Sequence, residues 1–146
     1  MIVPQEIYHP LYEDKEKFII FITGGRGSGK SFNASTFIER LTFEMTPVEK
    51  IVHQILYTRY TMVSAGMSII PEMMEKIDLD GTTKYFKTTK TDIVNKMTKS
   101  RIMFRGIKTS SGNQTAKLKS IQGITTFVCD EAEEWTSEDE FDKIML

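Results

Sequence analysis

The chain has 146 residues, 40% of them hydrophobic and 27% charged, with a formal net charge of -1. That length allows one domain with one core and excludes two ordinary ones, and the composition excludes wholesale disorder. The near-neutral balance also excludes a molecule coated in basic residues, so any nucleic-acid surface must be local.

Residues 1–17 are polar and mixed, with a small aromatic cluster around Tyr8 and Tyr12. The acids Glu6, Glu13 and Asp14 stand where a secretion signal would need a basic and then an apolar stretch. Phe18 to Ile22 is a continuous apolar run with β-branched residues. It predicts a strand buried on both faces of a parallel sheet, and five residues are far too few to cross a membrane. A Gly-rich turn follows. A helix is expected from Ser31 to Met45, where Phe37, Ile38, Leu41 and Met45 recur at helical spacing and Pro47 closes it.

Gln54 to Thr58 reads as a second strand and Met62 to Ile77 as a second helix, with Pro71 expected to kink it or mark a restart. Lys84–Lys87, Asp92–Val94 and Ile102–Phe104 read as short strands of an inserted β-meander, and 106–120 as a polar loop. Thr125 to Cys129 is a further buried strand that runs straight into Asp130 and Glu131. The acidic tail from Thr136 reads as a helix with Ser137 as its N-cap. This order gives an α/β fold with a mainly parallel sheet, whose ligands sit at the carboxyl ends of strands. The last motif ends near residue 135, so the expectation is a partial, truncated domain over 1–146.

Gly24, Gly25, Arg26, Gly27, Ser28, Gly29, Lys30 and Ser31 fit the phosphate-loop pattern G-x-x-x-x-G-K-[ST] in full. A phosphate needs several backbone N–H groups pointed inward, in a curl that glycine adopts at least cost. The helix that follows turns its positive end to the same phosphates. Lys30 can reach the β- and γ-phosphates of ATP, and Ser31 can hold Mg2+ through its hydroxyl. Arg26, inside the loop, is a candidate for touching the γ-phosphate in cis; the alternative is a solvent-facing side chain.

Thr126 to Glu131 supplies the matching acidic half. The buried strand delivers Asp130 as a second magnesium ligand and Glu131 as a general base for water. A glutamate directly after the aspartate, with another strand between the two motifs, is the layout of motor-type P-loop ATPases. Arg59 follows the second strand, and both a functional role and a surface ion pair are open to it. Tyr8 and Tyr12, just upstream of the loop, are candidates for stacking on adenine, with packing as the simpler reading.

Between Lys99 and Lys119 lie six basic residues (Lys99, Arg101, Arg105, Lys108, Lys117 and Lys119) and no acid. This is the local candidate for contact with a DNA backbone, against the plainer reading of a solvated loop. His9 and His53 are isolated and form no metal-ligand spacing. The single cysteine, Cys129, cannot form an internal disulfide, which fits a reducing cytoplasm.

GGRGSGKS (24–31), LYTRYT (56–61), RIMFRGI (101–107) and KLKSIQGITTFVCDEAEEW (117–135) together resemble the large subunit of phage terminases, in the form found in tailed phages and prophages of Gram-positive bacteria. The resemblance covers roughly residues 18 to 135. It implies a P-loop ATPase that drives double-stranded DNA into a procapsid, with ATP and Mg2+ as cofactors. It further implies work with a portal and a small terminase subunit, a homo-oligomeric ring, and a place in the cytoplasm of an infected or lysogenic bacterium, neither secreted nor membrane-bound. Carried over by residue, Lys30 and Ser31 would bind phosphate and metal, Asp130 would hold the metal, Glu131 would be the hydrolytic base, and Arg26 occupies the loop-arginine position that the family suggests for sensing or triggering hydrolysis. Arg59 falls in the family's strand-arginine segment.

The nuclease domain that follows in such proteins is absent from these 146 residues, and so is the coupling motif after the Asp-Glu pair. The sequence therefore predicts no DNA cutting and weak or no ATP turnover. Two other readings stay open. A P-loop kinase would explain the loop but not Glu131. A truncated, non-catalytic nucleotide-binding module would bind without hydrolysis.

Overall fold

The structure, a computed structural model, describes residues 1–14, 19–61, 65–109, 112–113, 121–132, 138–139 and 142. A short helical turn (Glu6–Tyr8) leads into α1 (His9–Glu13), and α2 spans Lys30–Leu41. Then come β1 (Gln54–Thr61), α3 (Ala65–Asp80), β2 (Phe86–Thr88), β3 (Asp92–Asn95), β4 (Arg101–Thr109), β5 (Gly112–Asn113) and β6 (Thr126–Asp130). The strands form one sheet in the order β2-β3-β4-β1-β6, with β5 paired to β4.

The sheet is mixed, not mainly parallel as expected. Only β4-β1 and β1-β6 run parallel; β2-β3, β3-β4 and β4-β5 are antiparallel. The expected meander is present, but it is not an insertion beside the sheet. Its last strand, β4, is the main parallel partner of β1, so the β2-β3 hairpin forms one edge of the sheet itself.

β1 is central, and its alternate side chains are buried on opposite faces. Ile55 and Tyr57 join the cluster of Ile38 and Leu41 from α2 and Ile69, Ile70, Met73 and Ile77 from α3. Leu56 points the other way, onto Met103 and the half-buried Ile121, Ile124 and Phe127. The register aligns Ile93, Ile102 and Ile55 in one cross-strand row, and all three are 0% exposed. Burying each such side chain contributes about 1.5–3 kcal/mol.

α2 stops at Leu41, short of the expected Met45. Thr42 N–H donates to the Glu39 carbonyl at 3.1 Å, tightening the last turn, and the Thr98 hydroxyl takes the Thr42 carbonyl at 2.6 Å. The Thr46 N–H, which a further helical turn would aim at the Thr42 carbonyl, donates to the Ile51 carbonyl at 2.9 Å instead. Met45 instead lies 53% exposed in an isolated bridge to Val52. α3 runs through Pro71 without a restart, its buried stripe of Ile69, Ile70, Met73 and Ile77 unbroken across it. Packing of that stripe outweighs the roughly 3 kcal/mol cost of an interior proline.

The largest departure concerns the run before the phosphate loop. Ile19 to Ile22 forms no strand, and Ile19, Ile20 and Phe21 are 55%, 44% and 87% exposed. A strand buried on both faces needs a ladder neighbour. β6 gives one edge to β1, and among the described residues no strand lies on its other side. The apolar sequence signals a wish for burial; it does not supply the partner. The expected tail helix and Trp135 lie mostly or wholly outside the described residues.

Candidate nucleotide site

The phosphate loop owes its curl to glycine at three positions. Gly24, Gly27 and Gly29 have φ of 152°, 75° and 79°, values that other residues adopt only with strain. At Gly24 a side chain is also sterically barred: a Cβ there would lie 2.8 Å from Ser28 Oγ. Ser28 N–H closes the turn onto the Gly25 carbonyl at 3.3 Å. Lys30 arches back over the loop, its Nζ 3.5 Å from the Gly25 carbonyl.

Gly29 caps α2, and Asn33 donates to its carbonyl from both backbone and side chain, at 2.9 and 3.0 Å. The first turn of α2 carries no acid, so the positive end of a twelve-residue helix faces the loop uncompensated. Ser31, in that turn, is exposed, as are Gly25, Arg26 and Gly27 on the loop's outer turn. Ser28 Oγ is buried and makes no hydrogen bond among the described residues. A buried, unmatched hydroxyl inside a glycine curl is what a phosphate-sized anion would satisfy.

The N-terminal segment holds the loop from behind. Tyr8 Oη donates to the Ser28 carbonyl at 2.7 Å and Tyr12 Oη to the Asn33 carbonyl at 3.0 Å. Tyr12 also packs edge-on to Phe37 and under the Arg40 guanidinium, so it is packing and not a free stacking platform.

The acidic half arrives by strand register. β6 runs parallel to β1, and Asp130 at its end pairs with Arg59, two residues before the end of β1. Tyr57, Arg59, Val128 and Asp130 share the face that α2 covers, because successive side chains alternate. Tyr57 is buried in the cluster that holds Ile38 and Leu41 of α2, with its hydroxyl in the field of Asp130. Burial first, and then the Asp130 charge, pushes its proton affinity far above that of an ordinary phenol. Tyr57 therefore stays neutral, its ring packed against α2.

Arg59 Nε donates to Asp130 Oδ2 at 2.8 Å, with the two side chains 23% and 15% exposed. This is a largely buried pair, not a surface one. Burial disfavours the Arg59 charge, but the hydrogen bond to Asp130 and the fields of Asp130 and Glu131 outweigh it and raise its pKa. Glu131 follows in a left-handed conformation, φ 52°, exposed at the strand end.

Among the described residues no three His, Cys, Asp or Glu side chains group to hold a metal. Magnesium does not require such a cage: it is held by one or two protein oxygens and completes its shell with water and phosphate. Ser31 and Asp130 offer hard oxygens of that kind, and Asp130 already holds a cationic group, the Arg59 guanidinium. The residues fit the ion.

Of the basic candidates for DNA contact, Arg101 and Arg105 are both drawn to the Asp92 carboxylate, at 3.4 and 2.9 Å. Lys99 sits in the β3-β4 turn with φ 69°. Lys117 and Lys119 lie outside the described residues, as does the side chain of Lys108. Sequence reading missed Tyr57 and the burial of Arg59. Only the pairing register reveals them, and no local motif encodes it.

A family model for the phage terminase large subunit matches residues 16–146, most of the chain. No curated protein matches. Among the described residues no helix is long and apolar enough to cross a membrane.

Proposed function

The chain belongs to the phage terminase large-subunit family, and on that premise we propose that it is the ATP-handling part of a DNA-packaging motor. The observation that carries this reading is the glycine curl at the start of α2, with Lys30 folded back over it and the Ser28 hydroxyl buried and unmatched within it. In this reading Gly24 to Gly29 and the start of α2 cradle the phosphates and Lys30 neutralises them. Ser31 and Asp130 hold Mg2+, whose charge would stabilise the transferring phosphoryl group. Glu131 orients the attacking water, and Arg26, exposed on the outer turn, answers the γ-phosphate. Double-stranded DNA, a portal and a small subunit are the proposed partners, with DNA contact through the 99–119 segment.

The test is binding of a fluorescent ATP analogue with and without Mg2+. Lys30→Ala is expected to weaken binding roughly a hundredfold. Unchanged affinity in that variant would remove the loop from the site.

Two observations favour a second reading, nucleotide binding without turnover. Ile19 to Ile22, which feed the loop, are outside the sheet, and Asp130 is occupied by Arg59. Measured hydrolysis in the chain, stimulated by DNA and falling as salt rises, would decide for the motor.

A further inference from the structure

Arg59 and Asp130 are register partners on adjacent parallel strands, so the backbone itself sets their side chains together. Their contact of 2.8 Å is mostly screened from water, unlike a pair of long side chains meeting on a surface. With the Arg59 guanidinium on its Oδ2, Asp130 in this state is already charge-paired.

We propose that Arg59 is a resident counter-ion of Asp130, one that must leave before a divalent cation can bind there. This inference rests on the nucleotide-site reading for its purpose, but its chemistry can be tested without nucleotide. A carboxylate held by a guanidinium cannot take a second cation at the same oxygens without bringing two positive charges together. The ligand-free chain should therefore bind a bare divalent ion poorly. A nucleotide brings its own negative charge, which offsets the repulsion, so metal and nucleotide enter together. Release of Arg59 then moves the carboxyl end of β1, and loading of the site is reported at that strand end. Arg59 is a positioning residue in this scheme and has no need to touch the reacting atoms.

The experiment uses Mn2+ alone as the probe, followed by its electron paramagnetic resonance signal in the absence of nucleotide. Arg59→Ala and Arg59→Gln are expected to bind Mn2+ on the order of tenfold more tightly than the wild type. Arg59→Lys, which keeps the charge, should stay close to the wild type, and adding Asp130→Asn to Arg59→Gln should abolish the gain. A purely structural ion pair predicts the opposite: lower thermal stability with no gain in metal affinity. Unchanged or weaker Mn2+ binding in a folded Arg59→Gln chain overturns the proposal.

If the variants do not fold, the wild type still decides. The chain has five arginines, few enough to resolve their Nε–H signals by nitrogen-15 NMR. The Arg59 signal should shift on adding Mg2+ with ATP and stay in place with ATP alone; a signal unmoved by both refutes release. Failure of the nucleotide reading would look different, as loss of ATP binding with the Mn2+ pattern intact.

Discussion

The two sides of the sheet are built differently. On the β4-β1 side, Ile55, Ile93 and Ile102 are wholly enclosed, and α3 lays Met73 and Ile77 on them at 2% and 0% exposure. On the β6 side, every residue from Thr126 to Asp130 is only half-buried, and the run leading into the phosphate loop is exposed. What holds the second side is directional: Tyr8 on Ser28, Tyr12 on Asn33 and Arg59 on Asp130. Stability resides where water is excluded from hydrocarbon, and chemistry where polar groups wait for a ligand. A site that must rearrange on binding is drawn from the less stable part of a fold.

The sharpest way to break this contrast is to hollow the packed side. Phe104→Ala, at a residue 1% exposed, should cost about 3–5 kcal/mol in urea unfolding. A loss well below that would mean the β4-β1 side is not the stabilising one.

Next comes a polar group buried between the two helices. Glu39 is wholly enclosed and receives a hydrogen bond from the Thr82 hydroxyl. Burial first, opposed by Thr82 and helped by the neighbouring Asp80, raises its pKa from 4.5 to about 8. Burial raises the pKa of Asp80, but the Arg40 guanidinium and the Ile2 amide outweigh it and lower the pKa below its usual range. The folded chain keeps a proton on Glu39 that the unfolded chain has lost. Stability is therefore fullest below pH about 4.5 and falls as pH rises towards about 8. The slope from this group approaches about 1.4 kcal/mol per pH unit. Glu39→Gln should flatten that slope in unfolding curves taken at several pH values.

The smallest expected effect lies on the polar side. Tyr8→Phe removes one hydrogen bond to the loop and should lower stability by only about 0.5–1.5 kcal/mol. It should still loosen ATP binding measurably, since the loop loses its support at Ser28. A Tyr8→Phe chain as destabilised as Phe104→Ala would erase the contrast.

How much of this was legible beforehand follows from what is local. The glycines of the phosphate loop announce themselves because their conformations are a property of the residue, and the loop stands where the motif placed it. The strands around Ile55, Ile93, Ile102 and Val128 were readable from β-branched runs for the same reason. The Arg59–Asp130 pair was not, because the two residues are 71 positions apart in sequence and meet only through register. Ile19 to Ile22 misled for a related cause: apolar content states a preference for burial, and a sheet position also requires a neighbour. The end of α2 is not marked locally because Met45 and Thr46 pair with Val52 and Ile51 instead of continuing the helix.

Glu131, in its left-handed conformation, carries one more consequence. An L-residue there is less comfortable than glycine by about 1 kcal/mol. Replacement by glycine should therefore firm the turn while removing the acid at the strand end, so that thermal resistance rises as the strand end loses its charge. In the proposed function that acid orients water, and a search for hardier forms of this chain, blind to its chemistry, would be drawn to the same position.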